Sequence, residues 1–180
     1  MNIIWVNKTR EDLAQEFSGI GVEIGVEQGV FSEIICQNKN VQKLYSIDAW
    51  KSHREYRDHT HQQKLDKFYE LSKIRLSPYD CELVRKFSSE AASDFMDKVL
   101  DFVYIDANHD YEHVTEDIEM WLKKVKSGGI ISGHDYIRRK GQDKYYAVVQ
   151  AVNDFVKANK IEELFIYRGE QPASWKFIKP

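Results

Sequence analysis

The 180-residue chain has the size of one domain, long enough to bury a substantial core and short for a second one. Its 42% hydrophobic and 31% charged residues exclude a disordered or membrane-embedded chain, and 26 basic against 29 acidic side chains leave a net charge of −3, which argues against a sequence-independent grip on nucleic acid. No apolar run reaches the ~20 residues of a membrane span and Met1–Arg10 lacks the apolar stretch of a secretory signal, so the expectation is a cytoplasmic protein with a small-molecule partner and with Cys36 and Cys81 reduced.

In chain order, short apolar runs alternate with stretches of helical period, the pattern of repeated βα units around a mostly parallel sheet. Gly21–Gly25 reads as the first strand, and Phe31, Ile34 and Ile35 mark the helix after it. Leu44–Asp48 is the second strand. It leads into Ala49–His61, rich in charge, His and Tyr, which reads as a solvated loop or as a lid over a substrate. His53, His59 and His61 lack the Cys or spaced carboxylate that would complete a metal pattern. Leu65, Phe68, Tyr69 and Leu71 mark a helix, Cys81–Phe87 a third strand and Asp101–Asp106 a fourth. Val114, Ile118, Trp121, Leu122 and Val125 describe an amphipathic helix ended by Gly128-Gly129, with Gly129–His134 as the fifth strand. Val148, Val149, Val152, Phe155 and Val156 mark the last helix. Leu164–Tyr167 and Trp175–Ile178 then predict an antiparallel hairpin, because the link through Gly169 and Pro172 is too short for a crossover helix.

The strongest local signal is Val22-Glu23-Ile24-Gly25-Val26-Glu27-Gln28-Gly29 before a helix-forming stretch. Gly25 permits a sharp turn off the strand and Gly29 a close approach of backbone to a ligand or neighbour. A dinucleotide fingerprint would need a glycine where Glu27 stands, and a carboxylate there repels a diphosphate. S-adenosylmethionine has no phosphate and carries a sulfonium and an ammonium, so an acid-bordered loop suits it. Asp48, about twenty residues on, is placed to accept hydrogen bonds from ribose hydroxyls, with Ala49 beside it. At the end of the third strand, Phe87, Ser88 and Ser89 could flank an adenine.

These segments resemble the class I S-adenosylmethionine-dependent methyltransferases from about Gly21 to the C-terminus. Glu23, Gly25 and Gly29 match the family's first motif, Asp48 its ribose-binding acid, and Phe87, Ser88 and Ser89 its adenine-contact turn. The departure is Glu27 in place of the usual middle glycine. The resemblance implies one methyltransferase domain over residues 1–180, with a doubly wound, Rossmann-like α/β sheet of order 3-2-1-4-5-7-6 and an antiparallel strand 7.

In such a sheet the fourth and fifth strands lie about 4.8 Å apart, so Asp106 and Asp135 converge at their ends. Two facing carboxylates repel unless neutralised, and Mg²⁺ or another divalent ion is a usual solution. This half of the chain resembles the metal-dependent O-methyltransferases of the catechol and macrolide-sugar (macrocin) types. Asp106, His109 and Asp135 match their first acid, their basic residue and their second acid, while His134 stands where another acid is common. The resemblance implies methyl transfer to a hydroxyl of a small acceptor, with Asp106, His134 and Asp135 as metal ligands, Asp106 and His109 as catalytic residues, His109 as general base, and association into homo-oligomers. A metal-independent methyltransferase and a non-catalytic adenosine-binding module remain open alternatives.

Overall fold

The computed structural model describes residues 1–52, 61–137 and 143–180, the side chains of 143–146 excepted. The elements are β1 (Asn2–Val6), α1 (Arg10–Ala14), β2 (Gly19–Ile24), α2 (Val30–Gln37), β3 (Val41–Asp48), α3 (Gln62–Leu76), β4 (Cys81–Arg85), α4 (Ser88–Ala92), β5 (Leu100–Ile105), α5 (Tyr111–Lys124), β6 (Val125–Gly133), α6 (Asp143–Ala158), β7 (Glu163–Tyr167) and β8 (Ser174–Ile178). His53 and His59, and most of the segment Ala49–His61 read above as a loop or lid, lie outside the described residues.

One eight-stranded sheet runs in the order β1-β7-β8-β6-β5-β2-β3-β4. Read from β4, the strands expected from the sequence appear as 3-2-1-4-5-7-6, and β8 is antiparallel to both of its neighbours, β6 and β7. Period-two alternation on the central strands supplies both faces. Val103 and Ile105 of β5 join Val22 and Ile24 of β2 against α4, α5 and α6, whereas Phe102 and Tyr104 face α1 and α2 with Leu13, Phe17, Phe31 and Ile35. Phe17 stacks on Phe102 with ring centroids 4.3 Å apart. A smaller cluster of Val26, Trp50, Leu65 and Phe68 seats α3 beneath the loop that follows β2. None of the helices among the described residues is long and apolar enough to cross a membrane.

Three boundaries correct the sequence reading. The N-terminus contributes β1, parallel to β7 with Trp5 opposite Ile166, and this strand was not anticipated. Val125 does not close α5: it is extended, pairs with Leu100 and starts β6. The ladder then shifts register before Phe102 meets Ile130, and Gly128, at φ +80°, sits in the offset. The third parallel strand stops at Arg85, because Phe87 already opens α4, with its N–H bonded to the Glu90 carboxylate.

Asp117 on α5 is buried and accepts the Ser88 hydroxyl, which in turn accepts Trp121 Nε1–H at 2.8 Å. Burial, only partly offset by the Ser88 bond, pushes its carboxyl up to about 6. A folded-state pKa above the unfolded one means that the contribution to stability is fully present below about pH 4 and is lost as pH rises through about 6. Asp117→Asn keeps an acceptor for Ser88 without the buried charge. In urea melts it is expected to stabilise the protein by on the order of 3 kcal/mol at about pH 8 and by little at about pH 4. A gain that does not vary with pH would contradict this account.

Candidate active site

The loop after β2 is shaped by close backbone approach. A side chain on Gly25, at φ +87°, would place its Cβ 2.0 Å from the Asp106 carbonyl oxygen, so only glycine lets the ends of β2 and β5 meet here. Asp106 N–H bonds to the Ile24 carbonyl at 2.7 Å and Gly25 N–H to that of Ile47 at 2.9 Å. Glu27 takes φ +53°, the left-handed conformation that a glycine would favour at that position. Its carbonyl accepts Trp50 Nε1–H at 2.8 Å and the Ser72 hydroxyl at 3.1 Å, while Arg75 Nε–H reaches the Gln28 carbonyl at 3.1 Å. Trp50 and α3 thus hold the loop against its strain. Gly29, at φ +72°, begins α2 without a side-chain cap.

Asp48 is tied to the same loop. One of its carboxylate oxygens accepts the N–H groups of Val26 and Glu27, both at 3.0 Å, and the other accepts Trp50 N–H at 2.8 Å. A carboxylate has roughly four acceptor sites, which leaves capacity for one further donor. Glu23, 1% exposed, lies beneath the loop and accepts the Ser32 hydroxyl of α2. Burial pushes its carboxyl well above the usual range, against the Ser32 bond, and the side chain braces β2 against α2. Of the turn after β4, Ser88 directs its hydroxyl inward to Asp117 and Trp121, while Lys51 Nζ lies 5.7 Å from the Phe87 ring centre. Ala49 and Ser89 follow Asp48 and Ser88 at the ends of β3 and β4.

Beside the loop, at the ends of β5 and β6, the structure brings together the acids and histidines singled out in the sequence. His109 Nε2 is 2.8 Å from Asp135 Oδ2 and 3.5 Å from Asp106 Oδ1. His134 Nδ1 lies 3.7 Å from Asp106 Oδ2 and 3.9 Å from Asp135 Oδ2, too far for a hydrogen bond to either. Asp106, His134 and Asp135 each offer one ligand atom within 4.8 Å of the others. Asp135 adopts φ +56°, an unfavourable backbone conformation for an acid that nonetheless turns its carboxylate toward His109. Burial opposes charge on His109, but the two carboxylates outweigh it and raise its pKa to about 10. His109 is therefore a cation at neutral pH and supplies the positive charge that separates the acids. Asp135 shows the converse: burial alone would raise its carboxyl, and the hydrogen bond and charge of His109 hold it below the usual range. Asp110 caps α5 by accepting His113 N–H at 2.9 Å.

Sequence reasoning missed Arg10. Its guanidinium stands 3.9 Å from Asp106 Oδ2 and 5.0 Å over the Phe31 ring. The available signal was weak: a lone basic residue after Thr9, which caps α1 through a reciprocal pair with Asp12.

Residues 22–136 match a family described as a methyltransferase domain. An uncharacterised protein of Acanthamoeba polyphaga mimivirus is 27% identical over 141 residues, covering 75% of this chain and 58% of that protein. Another, of Sinorhizobium fredii, is 22% identical over 139 residues, covering 74% of this chain and 15% of that protein. The chain thus spans only part of the length of these relatives. Among solved structures, an O-methyltransferase from Bacillus cereus in complex with SAH superposes with a TM-score of 0.67 at 13% identity, over 94% of this chain and 77% of that one. Spermidine synthase from Thermotoga maritima superposes with a TM-score of 0.64 at 12% identity, over 93% and 56%. Identities this low show a shared fold. The family match covers more than half of the chain, and on that ground the chain belongs to the methyltransferase-domain family.

Proposed function

We propose that this chain is an S-adenosylmethionine-dependent methyltransferase acting on a hydroxyl of a small acceptor of sugar or natural-product type. The observation that carries the reading is the adjacency, at the ends of β2, β5 and β6, of an acid-bordered glycine loop and a cluster of two acids and two histidines. In this reading Gly25, Val26 and Gly29 shape the backbone against which the cofactor lies, braced by Glu23. Asp48 and Ala49 meet the ribose, and Phe87 and Ser89 flank the adenine. Glu27 favours a cationic cofactor over a diphosphate.

Methyl transfer is an in-line displacement that needs the acceptor oxygen about 3 Å from the methyl carbon. The acids and His134 fit a divalent ion, since three donor atoms converge without hydrogen-bonding one another, and an imidazole in the set favours a transition ion such as Mn²⁺ over Mg²⁺. Held by Asp106, His134 and Asp135, such an ion would polarise an acceptor hydroxyl and supply the charge that His109 now supplies. His109 Nε2 holds a proton between the carboxylates, and once that proton leaves, the same atom can take the acceptor's proton.

By calorimetry, S-adenosylhomocysteine should bind and NAD should not, and Asp48→Ala should weaken S-adenosylhomocysteine binding by removing both a ribose acceptor and the anchor of the loop. Tighter binding of NAD would overturn the cofactor assignment. In excess chelator, an NMR titration of the His109 ring should show a midpoint far above 6.5, near 10, that falls in Asp135→Asn. A midpoint near 6.5 in the parent would contradict the pairing. Once a hydroxyl-compound screen by methyl release has found an acceptor, Asp135→Ala is expected to abolish metal-stimulated turnover and leave S-adenosylhomocysteine affinity nearly intact. His109→Ala should lower turnover by about 10²-fold or more. Full activity in excess chelator would refute the metal role, and an unchanged rate in His109→Ala the base.

A further inference from the structure

Arg10 is fixed from two directions. Thr9 caps the helix it opens, and Glu170, in the link between β7 and β8, accepts its backbone N–H. Its guanidinium rests over Phe31, in the first turn of α2, and forms an ion pair with Asp106 at 3.9 Å without a hydrogen bond. Among the described residues the guanidinium makes no side-chain hydrogen bond, so a planar fork of five donors is held at the edge of the cleft with its donors available.

The sheet order gives this cation a meaning. Phe87 follows β4, Asp48 ends β3, the glycine loop follows β2 and Asp106 follows β5, and these strands are successive neighbours. A cofactor with its adenine at β4 and its ribose at β3 carries its amino-acid tail to the junction of β2 and β5, which is where Arg10 stands. Resting on the methyltransferase reading above, we infer that Arg10 binds the α-carboxylate of the cofactor's methionine moiety and makes the chain reject cofactor forms that lack it. A guanidinium matches a carboxylate in a two-bond, charge-assisted geometry. A nucleoside that has lost the carboxyl group leaves Arg10 with Asp106 alone and forgoes that pair.

The test is calorimetry with three nucleosides, S-adenosylhomocysteine, 5′-methylthioadenosine and decarboxylated S-adenosylmethionine, on the parent, Arg10→Gln and Arg10→Lys. Arg10→Gln should bind S-adenosylhomocysteine about 10- to 100-fold more weakly, the range for a charge-assisted hydrogen bond, and Arg10→Lys should lose less. The two nucleosides without the carboxylate should bind all three proteins alike to within about twofold, so the parent's preference for S-adenosylhomocysteine collapses in Arg10→Gln. That preference is a ratio within each protein and does not depend on the fraction folded. Unchanged S-adenosylhomocysteine affinity in Arg10→Gln, or an equal loss for all three nucleosides, overturns the assignment. If the parent binds none of the three, the cofactor reading itself falls, an outcome distinct from failure of Arg10 alone.

Discussion

Gly25 and Asp106 touch through their backbones, and that approach sets the geometry of everything around the cleft. With a Cβ at position 25 only 2.0 Å from the Asp106 carbonyl, β2 and β5 could not end side by side, and the loop and the acid cluster would separate. The two strands are parallel neighbours whose following helices pack on opposite faces, α2 on one and α5 on the other. Their carboxyl ends therefore diverge into a crevice, the place where open α/β sheets bind ligands. The left-handed conformation at Glu27 follows from the same turn, and its carbonyl is held by Trp50 and Ser72.

Charge compensation governs the other half of the cleft. Asp106 and Asp135 are drawn together by strand adjacency, and ionised carboxylates this close repel strongly in a partly buried site. His109 answers that repulsion from between them and Arg10 from the α1 side. His134, on the backbone beside Asp135, presents Nδ1 to both acids, and its Nε2 is buried without a hydrogen-bond partner among the described residues. A buried nitrogen without a partner is costly, which marks His134 as a residue placed for something other than packing.

Much of this arrangement was legible in the sequence because it is encoded locally. The βα alternation, the glycine loop and the acids at strand ends each depend on a few neighbouring residues, and the short link through Gly169 and Pro172 sufficed to reverse the last strand. What escaped depends on partners distant in the chain. β1 is Asn2 followed by four apolar residues, and among the described residues its strand neighbour is β7, some 160 positions away in register, so its pairing cannot be read from the residues near it in sequence. Val125 fits the helical period of α5 as well as it fits β6, and pairing with Leu100 decides between them. The bonds of the Ser88 hydroxyl to Asp117 and Trp121, both on α5, likewise join residues some thirty positions apart in the chain.

The hairpin of β7 and β8 has a larger part in the cleft than its place in the chain suggests. On one side, β8 lies against β6, where Trp175 Nε1–H bonds to the His134 carbonyl at 3.1 Å and its ring fills the space that a side chain on Gly133 would need. That contact fixes the backbone from which His134 and Asp135 project. On the other side, β7 pairs with β1, and the link to β8 grips the chain beyond it: Arg168 N–H reaches the Val6 carbonyl at 2.9 Å, Gly169 N–H that of Lys8 at 2.8 Å, and Glu170 the N–H of Arg10. The guanidinium is thus carried to Asp106 by the same hairpin that positions Asp135. β2 and β5 create the crevice, but its charged walls are set by strands outside the central βα repeat. A change in the β7–β8 link should therefore disturb Arg10 and the acids together while leaving the glycine loop in place.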